Sequence, residues 1–132
     1  MIKMDFHIPL YGIDVRLVQL DKNDDAKQIK QALSYAKIDA KEVDDIIDEV
    51  KRGCTGGGYT YRNFEIRRML LVFYPFVSER ERIEVYSHEK RHIEDRVMEH
   101  YNVNDIETAG LLAGFLGVKF YDFEKKLKEI VK

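Results

Sequence analysis

The chain has 132 residues, of which 45% are hydrophobic, and this length and composition suit one domain with one core, spanning residues 1–132. Its 22 basic and 24 acidic side chains give a formal net charge of -2 and are interleaved, which disfavours binding to nucleic acid or to an anionic membrane. Cys54 is the one cysteine, and no stretch has the character of a bilayer span or a signal peptide, so we expect a cytoplasmic protein.

The first part of the chain predicts a β-hairpin followed by two helices. Alternating and β-branched residues predict antiparallel strands at about residues 3–8 and 13–20, separated by turn residues. Apolar residues at helical spacing then predict a helix over about 26–36 and a second helix that begins at Asp39 or Ala40. We expect the two helices to form an α-hairpin.

The second part of the chain predicts more strand and then mostly helix. Aromatic and β-branched residues at 59–63 and 66–74 predict a second strand pair or one long bent strand. A capping-box pattern at Ser78 starts a helix that runs from about residue 79 to 100, and a last long helix follows over about 105–131. The predicted fold class is α+β, with short antiparallel strands early and a long C-terminal helix at the end.

The third predicted helix carries the motif H-E-x-x-H at residues 88–92. Side chains four residues apart share one face of a helix, so the imidazoles of His88 and His92 can reach one Zn²⁺. Glu89 is then placed to act on a water molecule at the same metal as a general base. The motif predicts a mononuclear zinc centre of the hydrolase type.

A plainer interpretation of the same helix is a charged, solvated face on which both histidines are ordinary surface residues. Against this, His88 and His92 fall on or beside an apolar stripe made by Val85, Ile93 and Val97. The sequence therefore predicts that the histidines point at least partly inward, as metal ligands would.

A catalytic zinc site needs a third protein ligand. His100 lies eight residues beyond His92, which is about 12 Å along an intact helix and too far to share the metal. Glu107 begins the next helix and is the best-placed carboxylate, with Asp105 as its substitute. The alternative is that Asn104 and Glu107 form a capping box at the start of that helix.

Three segments resemble small zincin-like proteins of tailed phages and prophages. They are IPLYG at residues 8–12, YSHEKRH at 86–92 and DIETAGLLAGFL at 105–116. The resemblance implies a small zincin-like domain with a gluzincin-type site, in which Glu107 matches the third metal ligand. It also implies zinc metallopeptidase activity, an activity that in those proteins is itself inferred from the motif.

Two hypotheses of function follow from the sequence. The first is a zinc-dependent metallopeptidase, or amide hydrolase, in which His88, His92 and Glu107 hold Zn²⁺ and Glu89 is the general base. Its substrate would be a peptide or protein lying along the strand that precedes the motif helix. The second is a non-catalytic zincin-like binding or structural protein of a phage or mobile element. The sequence leaves the oligomeric state open.

Overall fold

The computed structural model describes residues 1–102 and 105–130 of the chain. The predicted α+β class and the predicted order of strands and helices are both confirmed, and a short 3-10 turn extends the first helix. The elements are β1 (Ile2–Ile8), β2 (Ile13–Gln19), α1 (Ala26–Leu33), the 3-10 turn (Ser34–Ala36), α2 (Ala40–Lys51), β3 (Gly58–Asn63), β4 (Arg68–Phe73), α3 (Glu79–His100) and α4 (Ile106–Ile130).

The four strands form one mixed sheet in the order β1-β2-β4-β3. Each of the two hairpins, β1 with β2 and β3 with β4, is antiparallel as predicted. The central pair is parallel, with Leu17 of β2 opposite Leu71 of β4, so the expectation of an antiparallel sheet is wrong at this pair. The chain segment from α1 to β3 separates the two strands in sequence, and this long connection permits the parallel pairing. This order leaves β1 and β3 at the two edges.

Helices cover both faces of the sheet, and β4 shows how the residues divide between them. Met69, Leu71 and Phe73 pack in one cluster with α3 and α4. Leu70 and Val72 alternate with them and pack in the other cluster with α1 and α2. All five are fully buried, as expected for a central strand whose two faces are both covered.

The motif helix α3 is fixed on the sheet by its cap and by aromatic contacts. The hydroxyl of Ser78 accepts a hydrogen bond from the backbone N–H of Glu81 at 3.1 Å, which confirms the predicted start of the helix. The buried ring of Tyr86 packs 4.4 Å from the ring of Phe73, measured between centroids, and its hydroxyl donates to the side-chain oxygen of Gln19. These contacts hold the start of the H-E-x-x-H segment against β4 and β2.

The last helix, α4, covers the same face of the sheet as α3. One side of it is buried, through Leu112, Leu116, Phe120, Phe123 and Leu127. Within residues 1–102 and 105–130, neither this 25-residue helix nor any other has the length and apolar character that crossing a membrane requires.

Candidate metal centre

His88 and His92 lie one turn apart on α3 and contact each other directly. Their Nε2 atoms are 3.0 Å apart, and their ring planes are perpendicular with centroids 4.6 Å apart. At this distance one ring nitrogen can donate its hydrogen to the other, or both nitrogens can bind one metal ion through their lone pairs. The pair therefore aims two nitrogen donors at a common point on the helix surface.

Glu89 lies between the histidines and the sheet. Its side chain is buried, and the hydroxyl of Thr60 on β3 donates a hydrogen bond to its Oε2 atom. Gly58 begins the same strand, and a Cβ atom added there would lie 2.9 Å from the carbonyl oxygen of Val72 on β4 and 3.6 Å from Cγ of Glu89. A side chain at that position would clash with the backbone of β4, whereas its distance to Glu89 would be an ordinary van der Waals contact.

The three motif side chains form one compact set of donors. One atom from each of His88, Glu89 and His92 can be chosen so that all three lie within 4.8 Å of one another. Two nitrogens bound to a tetrahedral zinc ion are about 3.3 Å apart, so the observed 3.0 Å needs only a small opening of the two rings. Two imidazoles and a carboxylate also match the donor chemistry of zinc, so the residues present fit this metal.

The prediction that the histidines point at least partly inward is confirmed for His92 and is wrong for His88, and Glu89 is the motif residue that faces the core. His88 is exposed and His92 is half-buried, whereas Glu89 is only 6% exposed. The buried stripe of α3 runs through Tyr86, Ile93 and Val97, and successive residues turn by about 100°, so Glu89 falls at its edge and His88 falls well away from it.

Glu107, the predicted third ligand, is not part of this cluster. It lies in the first turn of α4 and is exposed to solvent. Leu116, which is fully buried, lies nine residues later, and nine residues correspond to two and a half helical turns. Glu107 therefore projects from the side of α4 opposite to the one that packs on the protein, and the described arrangement does not bring it to the histidines.

Asp105, the predicted substitute ligand, caps α4 instead. Its carboxylate accepts hydrogen bonds from the backbone N–H of Thr108 at 3.1 Å and from the hydroxyl of Thr108 at 2.6 Å. These hydrogen bonds lower the pKa of the Asp105 carboxyl group. Because Asp105 is the N-cap, the third residue of the helix is Thr108. In the capping-box alternative, Asn104 is the N-cap and Glu107 is the third residue. Asn104, the other half of that alternative, lies outside the described residues.

The charged residues inside and beside the motif are turned away from the histidines. Lys90 pairs with Glu94 at 3.0 Å, and Arg91 pairs with Asp95 at 3.2 Å. These cations are therefore neutralised along α3 rather than directed at the cluster, where they would oppose a metal ion.

His100 stacks on Phe64 with centroids 4.2 Å apart at the exposed end of the helix, consistent with its exclusion from the site.

Thr60 is a residue of the site that the sequence did not indicate. A threonine in a strand is ordinary, and no motif links it to a glutamate 29 positions later. Its contact with Glu89 depends on how β3 packs against α3, which the order of elements alone does not specify.

Comparisons with protein-family models, with curated proteins and with solved structures find no match to this chain. The evidence for a functional centre is therefore the geometry of the motif itself.

Proposed function

We propose that the protein is a zinc-dependent amide hydrolase, most simply a metallopeptidase with a zincin-like fold and His88, Glu89 and His92 at its centre. The observation that carries this proposal is the convergence of two imidazole nitrogens and one buried carboxylate within 4.8 Å. A metal-assisted hydrolase needs three protein ligands that leave one coordination position open, and a base beside them; His88 and His92 are two of these ligands, Glu89 is the base, and the proposal requires a third ligand from outside the cluster.

The residues of the chain have separate tasks in this reaction. Bound zinc would polarise the scissile carbonyl and make a water molecule acidic enough to lose its proton near neutral pH. The imidazoles of His88 and His92 hold the metal at the surface of α3. Thr60 fixes Oε2 of Glu89, so Oε1 is the atom that accepts the proton from water and later delivers it to the leaving amine.

The sheet edge beside the cluster supports a peptide as the substrate. β3 is an edge strand, and Thr60, which contacts Glu89, lies within it. An extended peptide can add to such an edge through main-chain hydrogen bonds, and this would carry its amide groups past the base.

The same proposal includes kinship with phage zincin-like proteins and a cytoplasmic location, which the exposed thiol of Cys54 suits.

A non-catalytic metal-binding protein is the second candidate. It is favoured by the position of Glu107, because without that carboxylate Glu89 is the remaining acidic group near the two histidines in the described cluster. If Glu89 binds the metal directly, it cannot also serve as the base, and the centre would be structural or regulatory.

Elemental analysis of protein purified without a metal-chelating tag tests metal binding. We expect about one zinc per chain, lost in His88→Ala and in His92→Ala. His100→Ala is the matched control, since it removes a histidine from the same helix outside the cluster. Glu107→Ala should retain zinc, because Glu107 lies on the exposed side of α4. Wild-type protein that binds no zinc at neutral pH would overturn both candidate functions.

Glu89→Gln then separates the two candidates, because it keeps the shape of the side chain and removes the carboxylate. A general base predicts zinc retained and cleavage of a peptide library abolished, whereas a ligand predicts weaker zinc binding. Wild-type protein that binds zinc and cleaves no peptide or other amide would leave the non-catalytic role as the function.

A further inference from the structure

The outward side of α4 is apolar, which its position on the protein does not require. Leu111, Val118 and Tyr121 are 73%, 59% and 68% exposed. A single exposed apolar side chain is common on protein surfaces, but three large ones on one side of a helix form a patch typical of an interaction site.

These residues belong to a regular series of exposed positions. Six positions separated by four, three, four, three and four residues are all exposed, and this is the spacing of the contact seam in a coiled coil. The seam consists of Glu107, Leu111, Gly114, Val118, Tyr121 and Lys125.

The glycines of α4 are not explained by packing within the chain. Apart from its own turn of helix, a Cβ atom added at Gly110 or Gly114 would have no neighbour within 4 Å among residues 1–102 and 105–130. Each glycine nevertheless costs a helix about 1 kcal/mol relative to alanine. Small residues on an outer face allow a second helix to approach closely, and Gly114 lies within the seam itself.

The seam is complementary to itself when two copies run antiparallel. About a two-fold axis between residues 114 and 118, Gly114 lies opposite Val118 of a second copy, and Leu111 lies opposite Tyr121. Glu107 at one end then lies opposite Lys125 at the other. A parallel pair would instead place Glu107 against its own copy, so the charges select the antiparallel arrangement.

We propose that this seam is a homodimer interface, in which α4 of one chain packs antiparallel against α4 of a second chain. The two charged ends are about 27 Å apart along the helix, so the contact is small. Interfaces of this size form weak dimers, and we expect a dissociation constant in the micromolar range.

Charge-swap variants of the full chain test this interface by sedimentation equilibrium. Glu107→Lys and Lys125→Glu each replace two attractive contacts of the dimer by two repulsive ones, so each should raise the dissociation constant about tenfold. The double variant restores opposite charges and should return to within about threefold of wild type. An equimolar mixture of the two single variants should form a mixed dimer, because every end contact in it is again attractive.

Glu42→Lys and Lys51→Glu on α2 are the matched controls, since they reverse exposed charges near the two ends of another helix. They should leave the dissociation constant unchanged. Val118→Glu introduces a charge at the centre of the seam and should give a monomer, with circular dichroism showing that the fold is retained. Wild-type protein that stays monomeric up to about 1 mM overturns the proposal. So does a double variant that dimerises no better than the single ones.

Discussion

The two helical layers that cover the sheet differ in what they bury. The α1 and α2 layer meets the sheet through an apolar cluster. The α3 and α4 layer has an equally apolar cluster, yet it also holds Glu89 and Glu94, the two buried charged side chains of the described residues. Burying a carboxylate costs stability unless it is paired. The α3 and α4 layer therefore carries groups that packing alone would not select.

The two buried glutamates are themselves unlike each other. Glu94 has a cationic partner in Lys90 and a second, more distant one in Arg91, which is a complete structural solution for a buried charge. Glu89 has a hydroxyl donor in Thr60 and two imidazoles beside it. A cation at the histidine pair would give Glu89 the positive neighbour that Glu94 already has.

The largest expected effects come from truncating one core residue on each side of the sheet. Comparing them tests whether the two layers contribute equally to the free energy of unfolding. Phe73→Ala empties the α3 and α4 side and should lower the free energy of unfolding by about 3–5 kcal/mol, while Leu33→Ala on the other side should lower it by about 2–5 kcal/mol. Urea denaturation measures both. Leu10→Ala, at a 99% exposed position, should change stability by less than about 0.5 kcal/mol. A layer whose truncation costs no more than this control would not be part of the core.

Zinc should stabilise the folded chain through the α3 and α4 layer. A metal that binds the folded state raises the free energy of unfolding by about 2.7 kcal/mol at one hundred times its dissociation constant. The expected result is a higher thermal midpoint with zinc, absent in the double variant His88→Ala/His92→Ala and present in His100→Ala. Because both imidazoles must be unprotonated to bind, the stabilisation should shrink as the solution is made acidic. Equal stabilisation of the double variant would mean that zinc binds elsewhere.

The hydrogen bond between Thr60 and Glu89 should behave as a paired buried group. Thr60→Val removes the donor, leaves a buried carboxylate without it, and should cost about 1–3 kcal/mol. Adding Glu89→Met removes the carboxylate as well and should recover most of that loss, because two apolar groups then replace two polar ones. Urea denaturation of both variants measures the coupling. Additive losses in the double variant would show that the hydroxyl and the carboxylate are not energetically linked.

Local patterns predicted most of the elements, and long-range packing supplied the rest. The Ser78 cap and the hairpin strands depend on neighbours within a few residues, so their sequence signals were sufficient. The parallel pairing of β2 with β4 joins segments about fifty residues apart, and no local pattern encodes it. It is also this pairing that makes β3 an edge strand and brings Thr60 to the motif helix.

The sequence predicted that the H-E-x-x-H side chains lie together, and it did not predict that Glu89 is the one that faces the core. His88 and His92 converge because residues four apart share one face of a helix, and an atom of Glu89 lies within 4.8 Å of an atom of each. Which of them faces the core depends on how α3 rotates on the sheet, and the polar sequence of this helix fixes that rotation weakly. Helix α4 has apolar residues on its exposed side as well as on its buried side. Its sequence therefore does not show which side is buried, or that Glu107 lies on the exposed one.

The smallest expected effect appears at high pH and concerns the phenol of Tyr61, which packs against the α1 and α2 layer. Burial, followed by the nearby charge of Glu42, raises the pKa of Tyr61 from 10.0 to about 12. The folded state therefore favours the neutral phenol, and the stability it contributes is complete below pH 10 and lost as the pH rises through about 12.

The measurement is the urea midpoint between about pH 8 and pH 11 for wild type and for Tyr61→Phe, which has no proton to lose. Wild type should lose more stability than the variant across this range. Tyr121→Phe, at a 68% exposed position, should follow the wild-type curve at protein concentrations below the dissociation constant of the proposed dimer. Because Tyr61 packs against the α1 and α2 layer, the Tyr61→Phe variant should bind zinc through α3 as wild type does. Parallel curves for wild type and Tyr61→Phe would show that this phenol is as accessible to water in the folded chain as in the unfolded one.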